Sequence, residues 1–528
     1  MTFLFYRRTV ALYFTVCLLL AALMLRTVTV GGSLAVDALE SLHTRTLAVG
    51  TTRGKIYDRS FSLLTDDTSR LLAAVVPCEG ARPALTDLLG AAQADRLIQS
   101  GAPQVVAVPR AANDDFMRTF PVPNRTNGSL AAHLIGTVNA AGHGTSGIEL
   151  GCDAALFAAG GRLSVRFSVN AAGKALAGYD NVILDQNYNA PGGVVLTVDK
   201  TVQALTEAAL DSSAIRTGCA LVTDAATGEV LAMASRPAFD ADDLAAALND
   251  TDAPLLNRTL LPYAAGSVFK PLIAAFALEH GVSPKTTFTC TGTRTVGGID
   301  FHCYGRTAHG KQTMADALAN SCNCYFIDLF KRLDPADFLA FCAALGLGET
   351  TDLGGGIVGG AGVLPSAVDL SVPAARANLA FGQGKLLLTP VQAACCYQVL
   401  ATGTRTDPAV LRGSTDDGRT LQSGAPAAPQ RLLSDNTVRT MQRLLYAAAN
   451  ADRSNAKSAA LALAGKTGTA ESGVVKGGRA VNRTWFAGFF PADAPQYVVV
   501  VMNEDGVSGN RDCAPVVKAI AEGIANSG

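Results

Sequence analysis

Hydrophobic and polar positions divide the chain unevenly. An uncharged run over residues 9–25 follows Arg7-Arg8, and its 17 residues reach about 26 Å as a helix, the short end of a bilayer span. Arg26 interrupts it and apolar residues resume at Val28, so an uncleaved anchor over residues 9–30 is expected. A cleaved signal peptide fits less well, because Ser33-Leu34-Ala35, the one plausible cleavage site, lies far past Arg26. Arg7-Arg8 predicts a cytoplasmic tail over residues 1–8, although Arg26 opposes that bias. Residues 31–190 mix short apolar runs with turn residues and read as an extended α+β region. At Pro191-Gly192-Gly193 the pattern changes. A strand-like run over 194–198 leads to Asp199, an expected N-cap, and then Val202, Leu205, Ala209 and Leu210 recur at helical spacing. Apolar runs at 219–223 and 229–233 bracket a turn and predict a β-hairpin. Strands at 484–490 and 497–502 and a helix over 516–524 close the chain. Strands at both ends of a helix-rich middle predict an α+β domain over residues 191–528, one antiparallel sheet flanked by helices.

Composition narrows the class of partner. In 528 residues, 43 Lys plus Arg against 44 Asp plus Glu leave a net charge of -1, so no basic field exists to hold nucleic acid. At 49% hydrophobic and 16% charged, the chain has material for large cores and lacks the composition of a disordered protein. Twelve cysteines in this length are too sparse for a disulfide scaffold.

Candidate chemistry concentrates in three places. In Gly266-Ser267-Val268-Phe269-Lys270-Pro271-Leu272 the proline must lie in the first turn of a helix, which puts Ser267 at its amino terminus and Lys270 on the same face. A serine there with a partly buried lysine one turn on makes a nucleophile and its base. Ser321-Cys322-Asn323 sets a polar pair inside an otherwise apolar helical region, where polar groups need partners. Lys466-Thr467-Gly468-Thr469 ends an apolar run, and on an edge strand it offers a cation and hydroxyls to a carboxylate, with a glycine that permits close approach. Each has a bland counterpart: a capped helix with a surface lysine, a buried polar pair, a strand ending in a turn. Ser454-Asn455-Ala456-Lys457 repeats the first spacing as a polar turn, and Ser434-Asp435-Asn436 reads as an N-cap.

Ser267-Val268-Phe269-Lys270, Ser321-Cys322-Asn323 and Lys466-Thr467-Gly468, in that order and 54 and 145 residues apart, resemble the penicillin-binding transpeptidase family. Flanking segments agree: Thr197-Val198-Asp199 with Gln203, Phe381-Gly382-Gln383-Gly384, Thr389-Pro390-Val391-Gln392, and Trp485-Phe486-Ala487-Gly488-Phe489. Arg53-Gly54-Lys55-Ile56-Tyr57-Asp58-Arg59, His133-Leu134-Ile135-Gly136 and Ser146-Gly147-Ile148-Glu149 resemble the non-catalytic pedestal of class B, monofunctional members, and no glycosyltransferase signature is found. The resemblance implies a pedestal over residues 31–190 and a transpeptidase domain over 191–528. It further implies that Ser267 attacks a D-Ala-D-Ala stem peptide with Lys270 as base and Ser321 relaying protons. Asn323 would hold the substrate amide, Lys466, Thr467, Gly468 and Thr469 would bind its carboxylate, and the Ser267 and Thr469 N–H groups would form the oxyanion hole. β-Lactams would acylate the same serine. The implied partners are peptidoglycan stem peptides, β-lactams, the plasma membrane and a cell-wall glycosyltransferase.

Other readings stay open at this point. A β-lactamase or D-Ala carboxypeptidase would share the motifs and let water deacylate the enzyme, and a penicillin sensor or inactive scaffold would keep them without turnover. The anchored pedestal argues against the first, and the short stretch before residue 9 against a sensor. No cofactor is expected. Cys290, Cys303, His309 and Cys322 hold zinc-type donors, but their spacing matches no compact zinc motif, so no metal is assigned and buried thiols or a Cys290 to Cys303 disulfide is the favoured reading. Gly142, Gly144 and Gly147 read as a glycine-rich turn and not a dinucleotide loop.

Overall fold

The computed structural model describes residues 2–125, 130–241, 243–423, 428–476 and 478–527. It begins with one helix, Thr2–His43, within which Thr9–Thr29 has a mean hydropathy of 2.0. Among the described residues this is the one helix long and apolar enough to cross a membrane. Arg26 does not break it.

The chain forms two compact units, Met1–Thr52 with Thr68–Asn124 and Gly160–Ala190, and Arg53–Asp67 with Arg125–Ala159 and Pro191–Gly528. The first holds two antiparallel three-stranded sheets. Thr44–Thr52, Gly161–Ser168 and Val182–Gln186 make one, and Gln104–Val108, Ser69–Val75 and Met117–Pro123 the other, with Ser69–Val75 central. Alternation sends Ala73 and Val75 toward the helices Arg82–Leu89 and Ala91–Ser100, where Leu85 and Leu97 meet them, while Ala74 joins Val122, Leu163 and Phe167 on the other face.

The second unit is built on a five-stranded antiparallel sheet in the order Val230–Arg236, Gly218–Asp224, Tyr497–Gly506, Arg479–Phe490, Ala464–Lys476. The strands Val230–Arg236, Gly218–Asp224 and Tyr497–Gly506 read as largely continuous apolar runs because both their faces are covered. Val498, Val500 and Met502 face one core and Val499 and Val501 the other. Helices Lys200–Asp211 and Ala514–Ser527 pack on the latter through Val202, Leu210, Val516 and Ile520. On the opposite face Leu272, Val391 and Met441 come from helices Lys270–Glu279, Pro390–Thr402 and Asp435–Ala449. Each such valine stabilises the fold by roughly 1.5–3 kcal/mol. Asp199 caps its helix as expected, accepting from the Thr201 and Val202 N–H groups, and Ser434 does the same through the Thr437 N–H.

Two of the three segments singled out before residue 160, those of Arg53 and Glu149, meet inside this unit. Glu149, 1% exposed, accepts from Arg53 Nε at 3.0 Å and Arg125 Nε at 2.6 Å, and Arg125 also reaches Asp66 at 2.7 Å. Buried flank residues serve the backbone. Gln203 bonds both the N–H and the carbonyl of Met233 on the edge strand, and Gln392 donates to the carbonyls of Gly346, Glu349 and Ala361. Groups buried there without such partners would cost about 1–3 kcal/mol each.

Candidate active site

A 3₁₀ turn, Gly266–Phe269, runs into the helix Lys270–Glu279, with Pro271 in its first turn where a missing N–H costs nothing. Apolar residues surround that helix, so Lys270 through Ala277 are all buried. Ser267 and Lys270 share a face, and Lys270 Nζ lies at hydrogen-bond distance, 3.0 Å, from Ser267 Oγ. Three elements brace the turn. The Gly266 N–H donates to Gly382 O at 2.8 Å, Tyr397 Oη to Val268 O at 3.0 Å, and Trp485 Nε1 to Ala264 O at 2.9 Å. Gly382 has a φ of 78°, and a Cβ there would sit 1.9 Å from Gly266 O, so only glycine fits.

Ser321 departs from the continuous helical region that the sequence pattern predicts. Helix Met314–Ala319 stops, and Ser321 takes a left-handed φ of 51°. The Cys322 N–H reaches back to Ala317 O and the Ser321 N–H to Leu318 O, the paired bonds of a Schellman cap, before a new helix, Asn323–Phe330, starts with Cys322 as N-cap. A non-glycine residue in that conformation carries about 1–3 kcal/mol of strain. The break delivers both polar groups to Lys270. Its Nζ lies 2.7 Å from Ser321 O, 3.2 Å from Ser321 Oγ and 2.6 Å from Asn323 Oδ1, and Ser321 Oγ donates to Ser267 Oγ at 2.8 Å. Asn323 is held in turn by its Nδ2, which donates to His302 O at 2.8 Å. Lys270 is closed to solvent, and burial pushes its pKa down to about 7.

Lys466-Thr467-Gly468-Thr469 lies on the edge strand Ala464–Lys476, as expected. Alternation leaves Thr467 and Thr469 half-buried on one side, and a Cβ on Gly468 would meet Val268 Cγ1 at 3.0 Å, so this glycine lets the strand pass close to the serine turn. Lys466 is buried, donates to Thr467 O at 2.9 Å, and has its pKa lowered by burial and by the nearby Lys270. A cavity of about 360 Å³ opens between the Ser321 turn and the Lys466 strand, lined by Ser321, Lys466 and Thr467 together with Tyr304, Arg453 and Asn510. The last three escaped sequence reading because they come from separate short segments, the 3₁₀ turn Tyr304–Arg306, the turn at Arg453 and the short helix Gly509–Asp512, with no local signature. Ser434 stays apart as a helix cap against Glu279, and Ser454 and Lys457 form a turn in which Ser454 is half-buried and also lines this cavity.

Of the two alternatives read from the sequence for Cys290 and Cys303, buried thiols or a disulfide, the structure shows buried thiols. Their sulfurs stand 3.6 Å apart, far beyond the roughly 2.05 Å of a bond, and both thiols are free and buried.

The sequence model of the penicillin binding protein transpeptidase domain matches residues 218–522, more than half of the chain. The chain belongs to the penicillin-binding transpeptidase family. It is 30% identical to the stage V sporulation protein D of Bacillus subtilis over 76% of this chain and 63% of that protein. It is also 28% identical to the peptidoglycan D,D-transpeptidase FtsI of Escherichia coli over 75% of this chain and 66% of that one. It thus spans less than two thirds of the length of these class B penicillin-binding relatives. The structure of penicillin binding protein 3 from Mycobacterium tuberculosis, complexed with aztreonam, is similar with a TM-score of 0.66 and 26% identity, covering 92% of this chain and 97% of that one. A chain of a peptidoglycan synthase complex gives 0.67 at 25% identity, covering 98% and 97%.

Proposed function

We propose that this penicillin-binding family member is a serine peptidoglycan D,D-transpeptidase, with Ser267 as the residue acylated by D-Ala-D-Ala stem peptides and by β-lactams. The observation that carries the reading is the convergence of Ser267, Ser321 and Asn323 on one buried amine, Lys270 Nζ. A neutral amine has two N–H groups and one lone pair. The two shortest contacts, to Asn323 Oδ1 and Ser321 O, suit the N–H groups and leave the lone pair for the Ser267 hydroxyl. In the acylation step Ser267 Oγ bonds to the carbonyl carbon of the penultimate D-Ala and its proton passes to Lys270. The C–N bond then breaks, and the proton leaves on the amine of the terminal D-Ala. The Ser267 and Thr469 N–H groups bear the oxyanion, Lys466, Thr467, Gly468 and Thr469 receive the carboxylate, and Asn323 the amide. An amine of a second stem peptide bonds to the ester carbonyl carbon, the bond to Ser267 Oγ breaks, and the proton lost by the amine passes through Ser321 and Lys270 back to Ser267 Oγ.

Residues 9–30 anchor the protein in the plasma membrane with residues 1–8 cytoplasmic. The pedestal over 31–190 and the transpeptidase domain over 191–528 are extracytoplasmic, where a cell-wall glycosyltransferase supplies nascent strands. The similarity to a chain of a peptidoglycan synthase complex supports that partner. The test is to supply a stem pentapeptide donor with an excess of amine acceptor and resolve the products by mass. An amide-linked dimer with one D-Ala released per link is expected, whereas free tetrapeptide alone would replace this reading with a carboxypeptidase.

A further inference from the structure

We propose that Cys290, Cys303, His309 and Cys322 form a binding site for one zinc ion behind the Ser321-Cys322-Asn323 segment. Their ligand atoms all lie within 4.8 Å of one another. Cys290 Sγ is 3.6 Å from Cys303 Sγ and 3.4 Å from His309 Nδ1, and Cys303 Sγ is 3.9 Å from Cys322 Sγ. A tetrahedral zinc with Zn–S bonds of about 2.3 Å has edges near 3.8 Å between sulfurs, so the donors already stand at the spacing of a filled site.

The fold brings them together from four separate places. Cys290 ends the strand Phe288–Cys290, which pairs with Gly310–Gln312 and so sets Cys290 opposite Gly310, beside His309. Cys303 follows the hairpin strand Ile299–His302, tied down by its N–H to Gly292 O at 3.0 Å. Cys322 caps the helix Asn323–Phe330. Backbone N–H groups already point at two of the sulfurs, Gly292 N to Cys290 Sγ and Tyr325 N to Cys322 Sγ, each at 3.4 Å. Such donors stabilise a thiolate and tune a metal bound to it. The three cysteines are at most 2% exposed, while His309 is half-buried and lines the 360 Å³ cavity, which gives the ion a way in. Binding displaces three thiol protons and leaves a Cys₃His complex of charge -1. Cys324 Sγ is 3.7 Å from Cys303 Sγ but stands outside the group that shares all contacts.

Cys322 lies between Ser321 and Asn323, so a metal that fixes its sulfur fixes both neighbours against Lys270. That consequence rests on the proposed function; the metal site does not.

The full chain, purified in detergent under reducing conditions, is analysed for metals, and the expected content is about one zinc per chain. Cys303→Ser and His309→Ala each lose most of it, and Cys78→Ser retains it. Exchange into Co²⁺ gives the visible bands and thiolate charge-transfer absorption of a tetrahedral sulfur site, absent in Cys303→Ser, which provides a readout independent of activity. No zinc and no cobalt spectrum in a folded chain, or iron in place of zinc, would overturn the site. Zinc removal is then followed by the rate of fluorescent penicillin labelling, expected to fall about 10-fold or more. An unchanged rate would overturn the positioning role, and a zinc-loaded chain that never labels would leave the metal site standing and remove the proposed function.

Discussion

Lys270 Nζ stands 3.0 Å from Ser267 Oγ while the lysine is wholly closed to solvent. An ammonium in that place is penalised by burial, which brings the pKa from 10.5 down to about 7. Acylation needs the neutral amine, so its rate rises with pH, turns over near 7 and stays flat above. Stopped-flow acylation by a chromogenic β-lactam across pH 5 to 10 is the check, and a rate still climbing beyond pH 9 would mean an unperturbed lysine.

Replacing that amine by a group that stays charged separates the base from its charge. Lys270→Arg keeps the cation but cannot deprotonate. Acylation is expected to fall by about 10²–10⁴-fold, the worth of a positioned base. The far-ultraviolet circular dichroism should be unchanged, and near-normal labelling of this variant would show that Lys270 is not the base.

Gly382→Ala tests the brace under the serine turn. The φ of 78° alone costs about 1–3 kcal/mol in a non-glycine residue, and the new methyl would fall within 1.9 Å of Gly266 O. Both a lower melting temperature and slower labelling are expected, since the clash displaces the N-terminal neighbour of Ser267. Retention of wild-type labelling would show that the turn does not depend on this contact.

Much of this site could be read from residues alone, because its signals are local. Pro271 pins a helix start, the 267 and 270 spacing sets two side chains on one face, and an apolar run ending in Lys-Thr-Gly makes an edge strand. Long-range geometry was not legible. Nothing near Ser321 announces that a Schellman cap will break the helix there, since glycine is the usual residue in that conformation. Cys290, Cys303 and His309 converge only through hairpin pairings, and their spacing carries no compact pattern. The same holds for Glu149, whose partners Arg53 and Arg125 lie 96 and 24 residues away.

That ion network makes its own prediction. Glu149→Ala leaves two buried guanidinium groups short of their shared carboxylate, and the loss is expected to be about 3–5 kcal/mol. Adding Arg53→Ala should recover part of it, because fewer unpaired charges remain. Urea unfolding of both variants decides the point, and strictly additive losses would show that the pair is not coupled.

The claim on which the account turns is that Ser267 carries the acyl group. Intact-mass measurement of the detergent-purified chain over time after adding penicillin, with Ser267→Ala in parallel, tests it most directly. A long-lived adduct of one penicillin mass, absent from the variant, is the predicted result. An adduct that persists in Ser267→Ala, or a folded wild-type chain that gains no mass, would contradict it.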